Sequence, residues 1–135
     1  GGVSGNAGLF STAQELGKIY QMILNEGELD GKRYLRPETA DIYYGEITVS
    51  HRGLGYDKPN LKDPKANACA SSAPASVYGH TGFTGTCAWV DPENDLVYIF
   101  LSNRLCPDAW NGKLNSMKIR QAVQEVIYQS LYTPE

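Results

Sequence analysis

Residues 77–103, VYGHTGFTGTCAWVDPENDLVYIFLSN, decide the fold of this chain. Residues 86–90 and 96–101 are rich in β-branched, aromatic and aliphatic side chains, which is typical of strands. The polar link between them, residues 91–95, has a proline early in it and is typical of a hairpin loop. The stretch therefore predicts an antiparallel β-meander whose first strand is short and rich in glycine.

The glycines of that first strand indicate a strand edge at an active site. Gly79, Gly82 and Gly85 recur every third residue, so side chains are missing where a ligand or another backbone would approach. His80 is the ionisable residue among them. Taken alone, it would more often be a structural histidine than a catalytic one. The run is not a dinucleotide-binding loop, because its glycine spacing differs from Gly-x-Gly-x-x-Gly and it is followed by a strand instead of a helix.

Residues 79–86, GHTGFTGT, resemble the third signature element of the penicillin-recognising serine hydrolases. This superfamily contains serine β-lactamases, D-alanyl-D-alanine peptidases and related esterases, and its Lys-Thr-Gly or His-Thr-Gly triplet lies on a strand facing the nucleophilic serine. The triplet here is His80-Thr81-Gly82. Three other segments are similar to the class C-like branch in order and spacing: GNAGLFST at 5–12, GLGY at 53–56 and LSNR at 101–104.

The resemblance implies a role for each residue around the triplet. His80 takes the place of the usual lysine, polarising the site and supporting proton transfer, and Thr81 hydrogen-bonds a substrate carboxylate or amide. Gly82 leaves room for a substrate backbone. The backbone N–H of Phe83 matches one of two donors to the oxyanion that develops during acyl transfer.

Two further candidates for substrate binding follow the last strand of the meander. By resemblance, Asn103 matches a position that contacts substrate carboxylates, and Arg104 is a weaker candidate beside it. Both residues would equally well cap the strand exit. Thr81 and Thr84 are also ordinary strand residues, and the aromatic residues Tyr78, Trp89, Tyr98 and Phe100 are expected in the core.

The nucleophile of the family is missing from this sequence. It contains no Ser-x-x-Lys and no Tyr-x-Asn, and Ser116-Met117-Lys118 has the wrong spacing. In the family these elements precede the first helix recognised here. We therefore predict that residues 1–135 are one partial domain, the C-terminal portion of a β-lactamase-like serine hydrolase, which is inactive alone. The alternative is a non-catalytic binding or assembly module that retains the fold.

Composition narrows the partners. The formal net charge of −3 does not indicate the basic surface that nucleic-acid-binding proteins use to contact phosphates. No apolar run approaches the roughly 20 residues that span a bilayer, and the glycine-rich start lacks the features of a signal peptide. The resemblance implies a bacterial protein located in the periplasm or otherwise outside the cytoplasm, with a small-molecule or peptide substrate. It also implies neighbouring strands that this chain lacks, so an exposed apolar sheet edge could support dimerisation.

The sequence predicts no cofactor and no metal site. His51 and His80 are the only histidines, and neither has a carboxylate at ligand spacing. The three cysteines are too few for a disulfide scaffold. A bridge between Cys69 and Cys106 stays open, whereas Cys87 is expected to be a buried apolar residue in a strand.

The remaining elements predict helices around the meander. Ser11 or Thr12 caps a helix that ends at Gly27, residues 37–44 form a short helix that stops at Gly45, and residues 114–131 form a helix across the sheet. A small hairpin is expected around Asp30-Gly31, strands at 47–50 and 53–56, and a long loop insertion at 57–76. The predicted fold class is α/β (α+β type), an antiparallel β-meander with helices packed on it in an incomplete β-lactamase/transpeptidase-like fold.

Overall fold

The computed structural model describes residues 7–44 and 52–131. Its elements are, in order, α1 (Ala13–Leu24), β1 (Glu28–Leu29), β2 (Lys32–Arg33), α2 (Pro37–Tyr44), a 3-10 turn (Pro64–Ala66), β3 (Tyr78–Thr81), β4 (Cys87–Asp91), β5 (Leu96–Phe100), α3 (Lys113–Ser116) and α4 (Ile119–Leu131). The mixed architecture of helices and antiparallel strands confirms the predicted fold class.

The predicted meander is the centre of the fold. β3, β4 and β5 form one antiparallel sheet in that order, with Tyr78 opposite Val90 and Cys87 opposite Phe100. Both ends of β4 lie one residue later than predicted. β5 begins where it is predicted to begin and ends one residue earlier. Along the outer edge of β5, no other strand of the described chain is paired.

Each face of the sheet carries its own apolar cluster. On one face Ile23 of α1 packs with Tyr78 and Val90, and on the other Cys69 and Val77 pack with Cys87, Trp89 and Tyr98. Ile127 of α4 lies against the second cluster. The sheet is therefore sandwiched between α1 and α4, and the predicted core role of its aromatic side chains is confirmed.

The first helix begins at its predicted cap. The Oγ1 of Thr12 accepts a hydrogen bond of 3.2 Å from the backbone N–H of Glu15. After Leu24 the chain turns through Glu26 and Gly27, which both have positive φ, of 54° and 91°. The N–H of Gly27 donates to the carbonyl of Met22 at 2.8 Å, so Gly27 closes the C-terminus of the helix.

The two short elements after α1 are also present. The hairpin turns at Asp30 and Gly31, both with positive φ, as a two-residue type I′ turn requires. Its second strand is Lys32–Arg33, two residues before Tyr34 and Leu35, where the sequence predicts it. The helix predicted at residues 37–44 is α2, with Pro37 in its first turn. Its expected stop at Gly45 and the strand expected at 47–50 lie outside the described residues.

The C-terminal helix differs from the prediction. It is broken into α3 and α4 because Lys118 adopts a left-handed conformation with φ of 50°. The helical spacing of apolar residues in 114–131 predicts that Val123 and Val126 face the sheet, but both are exposed. The buried positions are Gln124 and Tyr128, because each serves a polar partner: the Oε1 of Gln124 accepts from the N–H of Ala70, and the hydroxyl of Tyr128 donates to Asp91, both at 2.8 Å.

The strand expected at residues 53–56 is wrong. These residues form a bend closed by a 2.8 Å hydrogen bond from the N–H of Gly53 to the carbonyl of Tyr56, and only the flanking residue 57 pairs with the sheet. Residues 57–76 are a loop with a single 3-10 turn, as expected. However, Cys69 and Ala70 within the loop are buried, so its second half packs on the core.

None of the helices in residues 7–44 and 52–131 is long and apolar enough to cross a membrane.

Candidate active site

The triplet lies where β3 ends. His80 and Thr81 are the last two residues of β3 and pair with Ala88 and Cys87 of β4. Because paired residues of an antiparallel sheet share a face, the His80 side chain lies on the face of Ala88 and the Thr81 side chain on the face of Cys87. The side chain of His80 is 48 % exposed and belongs to neither apolar cluster.

The imidazole of His80 is held by one short contact. Its Nδ1 lies 2.6 Å from the backbone oxygen of Thr81. A carbonyl oxygen only accepts hydrogen bonds, so Nδ1 carries the hydrogen, and in the neutral ring Nε2 keeps a free lone pair. Nε2 lies 4.0 Å from the Oδ2 of Asp57, which is an ion pair only when the ring is protonated. The ring therefore presents a nitrogen that can accept or give up a proton.

Asp57 is a neighbour of His80 that the sequence did not reveal. It is fixed beside β3 by two backbone hydrogen bonds with Gly79, of 2.7 and 3.0 Å. Its Oδ1 lies 3.1 Å from a guanidinium nitrogen of Arg52. Residues 57 and 80 are distant in sequence, and only the pairing of residue 57 with Gly79 brings them together. No motif or spacing gave a signal for this.

The hairpin tip, defined here as residues 82–86, begins with Gly82, the last residue of the triplet. A Cβ on Gly82 would overlap the Oγ1 of Thr86, so any larger residue there would require the Thr86 side chain to move. Within the described chain, nothing accepts a hydrogen bond from the N–H of Phe83. Phe83 as a whole is 77 % exposed. The proposed oxyanion donor thus belongs to an exposed residue and is unengaged within the described chain.

The two candidates after β5 have different surroundings. The Oδ1 of Asn103 accepts from the N–H of Leu105 at 3.2 Å, so its side chain caps the strand exit as the simpler interpretation expects. Arg104 instead reaches the hairpin tip. Its Nε donates to the carbonyl of Phe83 at 2.8 Å, and its guanidinium lies 4.9 Å from the centre of the Phe83 ring. The structure therefore brings Arg104 and Phe83 together and leaves Asn103 in a local turn.

Two of the three thiols are buried and unsuited to nucleophilic chemistry. All three cysteines are free, so the bridge between Cys69 and Cys106 that the sequence left open is not formed. Burial raises the pKa of the Cys69 thiol to about 12 and that of the Cys87 thiol to about 11. Both thiols stay protonated near neutral pH, and a thiol is a poor nucleophile compared with a thiolate.

The site thus combines three chemical groups within four residues. His80 offers a proton-accepting nitrogen, Thr81 a hydroxyl and Phe83 an unengaged N–H. A groove between α1 and β5, lined by Gly17 and Ile99 among others, contains none of these residues. The chemistry is therefore expected at the open end of β3.

Comparison with known proteins identifies the family of this chain. A family model described as Beta-lactamase matches residues 1–122. A protein of Escherichia coli (strain K12) described as "Putative D-alanyl-D-alanine carboxypeptidase" is 34 % identical over 109 residues, covering 77 % of this chain and 24 % of that protein. A protein of the same description from Salmonella gallinarum is 33 % identical over 116 residues, covering 85 % of this chain and 27 % of its own.

The chain spans about a quarter of the length of these curated relatives. The matched part of the sequence includes β3, the triplet and the hairpin tip. The family resemblance carried by the His-Thr-Gly run is confirmed over most of the chain. It follows that this chain belongs to the β-lactamase family.

Proposed function

We propose that this chain is the C-terminal portion of a β-lactamase-related serine hydrolase and supplies the His-Thr-Gly strand and one oxyanion donor to its active site. The nucleophilic serine comes from polypeptide outside this sequence, which has no Ser-x-x-Lys. The reaction is acyl transfer to that serine followed by hydrolysis of the acyl-enzyme. The chain is inactive without the serine-bearing segment.

One observation carries the proposal: the ring of His80 is half exposed at the end of β3, with Nδ1 engaged and Nε2 beyond hydrogen-bond distance of Asp57. A structural histidine would be buried with both ring nitrogens satisfied. An exposed imidazole with one nitrogen anchored is instead suited to pass a proton between a serine hydroxyl and a leaving group.

The other groups have roles that follow from acyl transfer. The hydroxyl of Thr81 binds a substrate carboxylate or amide, and the N–H of Phe83 stabilises the negative oxygen of the tetrahedral intermediate. Asn103 keeps an amide nitrogen available for a substrate carboxylate next to its local turn. These assignments make the substrate a small acyl compound or peptide.

The relatives' description favours a peptide ending in D-alanyl-D-alanine over other acyl compounds. Such peptides are cell-wall material, so the proposal also puts the enzyme in the periplasm or otherwise outside the cytoplasm of a bacterium. Comparing release of D-alanine from such a peptide with hydrolysis of a β-lactam and of an ester determines which substrate class it prefers.

The first test uses labelling with a fluorescent penicillin, which acylates the serine of this superfamily. We expect no label on the 135-residue chain alone and a covalent label on the protein that carries it behind its natural upstream sequence. Labelling or hydrolysis by the chain alone would contradict the proposal. An upstream sequence without Ser-x-x-Lys would favour the non-catalytic module instead.

The second test addresses His80 in the protein that becomes labelled. His80→Ala should reduce the rate of acylation by about 100-fold or more, as loss of a proton-transfer group does. Thr84→Ala is the matched control, because Thr84 is also exposed beside the site and, within the described residues, takes part in a hydrogen bond only through its backbone carbonyl. Equal rates for the two variants would exclude His80 from the reaction.

A further inference from the structure

The hairpin tip fixes the direction of the Phe83 N–H through its own hydrogen bonds. Gly82 donates to the carbonyl of Thr86 at 2.8 Å, and Gly85 donates to the carbonyl of Gly82 at 3.0 Å. The carbonyl of Gly82 and the N–H of Phe83 belong to one trans peptide plane and point in opposite directions. Because that carbonyl turns inward to Gly85, the N–H of Phe83 turns outward to solvent.

The next two carbonyls of the tip are held from outside, both by Arg104. Its backbone N–H donates to the carbonyl of Thr84 at 2.8 Å, and its Nε donates to the carbonyl of Phe83 at 2.8 Å. Three consecutive carbonyls, those of Gly82, Phe83 and Thr84, are therefore fixed. A shorter side chain at residue 104 would keep the backbone bond to Thr84 but release the carbonyl of Phe83, which directly follows the Phe83 N–H in the chain.

Close packing explains why residue 104 can reach the tip. Gly85 has φ of +102°, and a Cβ there would lie 2.7 Å from the Oγ of Ser102 and 3.5 Å from the Cβ of Arg104. The segment after β5 thus passes directly over the tip. The guanidinium also covers the Phe83 ring at 4.9 Å from its centre, a cation–π contact that adds to the hydrogen bonds.

We infer that Arg104 is a positioning residue, which holds the hairpin tip so that the Phe83 N–H keeps the orientation needed by an oxyanion donor. This inference rests on the proposed function and changes the expected role of Arg104 from binding substrate to orienting the donor. Lysine cannot replace it. The lysine side chain has no N–H donor at the position of the arginine Nε, and its ammonium group has no planar face to stack on an aromatic ring.

The first experiment needs no catalysis. Amide hydrogen exchange measured by NMR on the 135-residue chain compares the wild type with Arg104→Lys. We expect the Gly85 amide to lose protection by about tenfold, because its bond to Gly82 depends on a fixed tip. Arg33→Lys is the matched control: Arg33 donates to the carbonyls of Glu26 and Leu35 in the β1–β2 hairpin. Unchanged Gly85 protection in Arg104→Lys would overturn the inference.

The second experiment compares Arg104→Lys with the wild type in the serine-containing protein, to separate positioning from substrate binding. If Arg104 positions the oxyanion donor, the variant should have a kcat lowered by roughly 10- to 100-fold, both for a neutral ester and for a carboxylate-bearing cephalosporin. An arginine that binds the substrate carboxylate should instead raise KM for the cephalosporin alone, and that result would overturn the inference.

The outcomes also separate this inference from the proposed function. If the wild-type protein neither labels nor hydrolyses, the proposed function fails, and the role of Arg104 in catalysis fails with it. If the wild type is active, the Gly85 amide loses protection and kcat is unchanged, the proposed function stands and the positioning role is wrong.

Discussion

Replacing Tyr128 with phenylalanine tests how α4 is fastened to the sheet. The Tyr128 hydroxyl donates to the Oδ2 of Asp91 at 2.8 Å, and the two residues are 1 % and 2 % exposed. A hydrogen bond to a charged group contributes about 1.5 to 3 kcal/mol. Asp91 would keep donors from Glu93 and Asn94, so its carboxylate would not be left unsatisfied. We therefore expect a loss of about 1.5 to 2 kcal/mol, at the lower end of that range.

Thermal and urea unfolding measure this loss. For a chain of this size 1 kcal/mol corresponds to a change in Tm of about 3 to 4 °C, so Tyr128→Phe should melt about 5 to 8 °C lower. Tyr34→Phe is the control, because Tyr34 is 54 % exposed and its substitution should change stability by less than about 0.5 kcal/mol. Equal stabilities of the two variants would refute the view that α4 is held through Asp91.

The same contact predicts a dependence on alkaline pH. Burial, and then the hydrogen bond to Asp91, raise the pKa of the Tyr128 phenol above its ordinary value near 10. A raised pKa in the folded state means that the contribution to stability is complete below about pH 10 and is lost as pH rises toward the folded pKa. The Tm should fall above about pH 10, and less steeply in Tyr128→Phe. Identical slopes would contradict this assignment.

Two further predictions concern the sheet and the thiols. Gly79→Ala should destabilise the chain by about 1 to 3 kcal/mol in urea unfolding, because the new methyl group would overlap the backbone of β4, whereas Gly112→Ala, with open space around it, should cost less than about 1 kcal/mol. A chromogenic disulfide reagent should react quickly with the exposed Cys106 alone in the native chain and with Cys69 and Cys87 only after unfolding, so rapid reaction of all three would contradict their burial.

The periodic parts of the fold were predictable from the sequence. The meander follows from two apolar segments around a polar link, and the start of α2 follows from Pro37. The cap at Thr12 and the turn at Asp30-Gly31 were found because both depend on local chemistry. The triplet was found for a different reason, since it is a short motif with a family resemblance.

The elements that were missed depend on partners distant in sequence. Gln124 is buried because it accepts a hydrogen bond from Ala70, and an apolar pattern does not predict a buried glutamine. Lys118 breaks the last helix in a left-handed conformation that lysine rarely adopts, and its Nζ donates to the carbonyl of Lys65 at 2.6 Å. Asp57 reaches His80 only through its pairing with Gly79. In each case tertiary contacts outweighed the local preference of the residue.

The register of β3 has a geometric consequence for any molecule that meets the triplet. His80 and Thr81 are neighbours in a strand, so the imidazole and the hydroxyl project from opposite sides of the sheet. The outer edge of β3 is occupied by Asp57 only as far as Gly79. A compound resting on one side alone would meet one of the two groups, and a compound that touches both must lie along the rim of the sheet. Slender, extended molecules satisfy that requirement more easily than bulky ones.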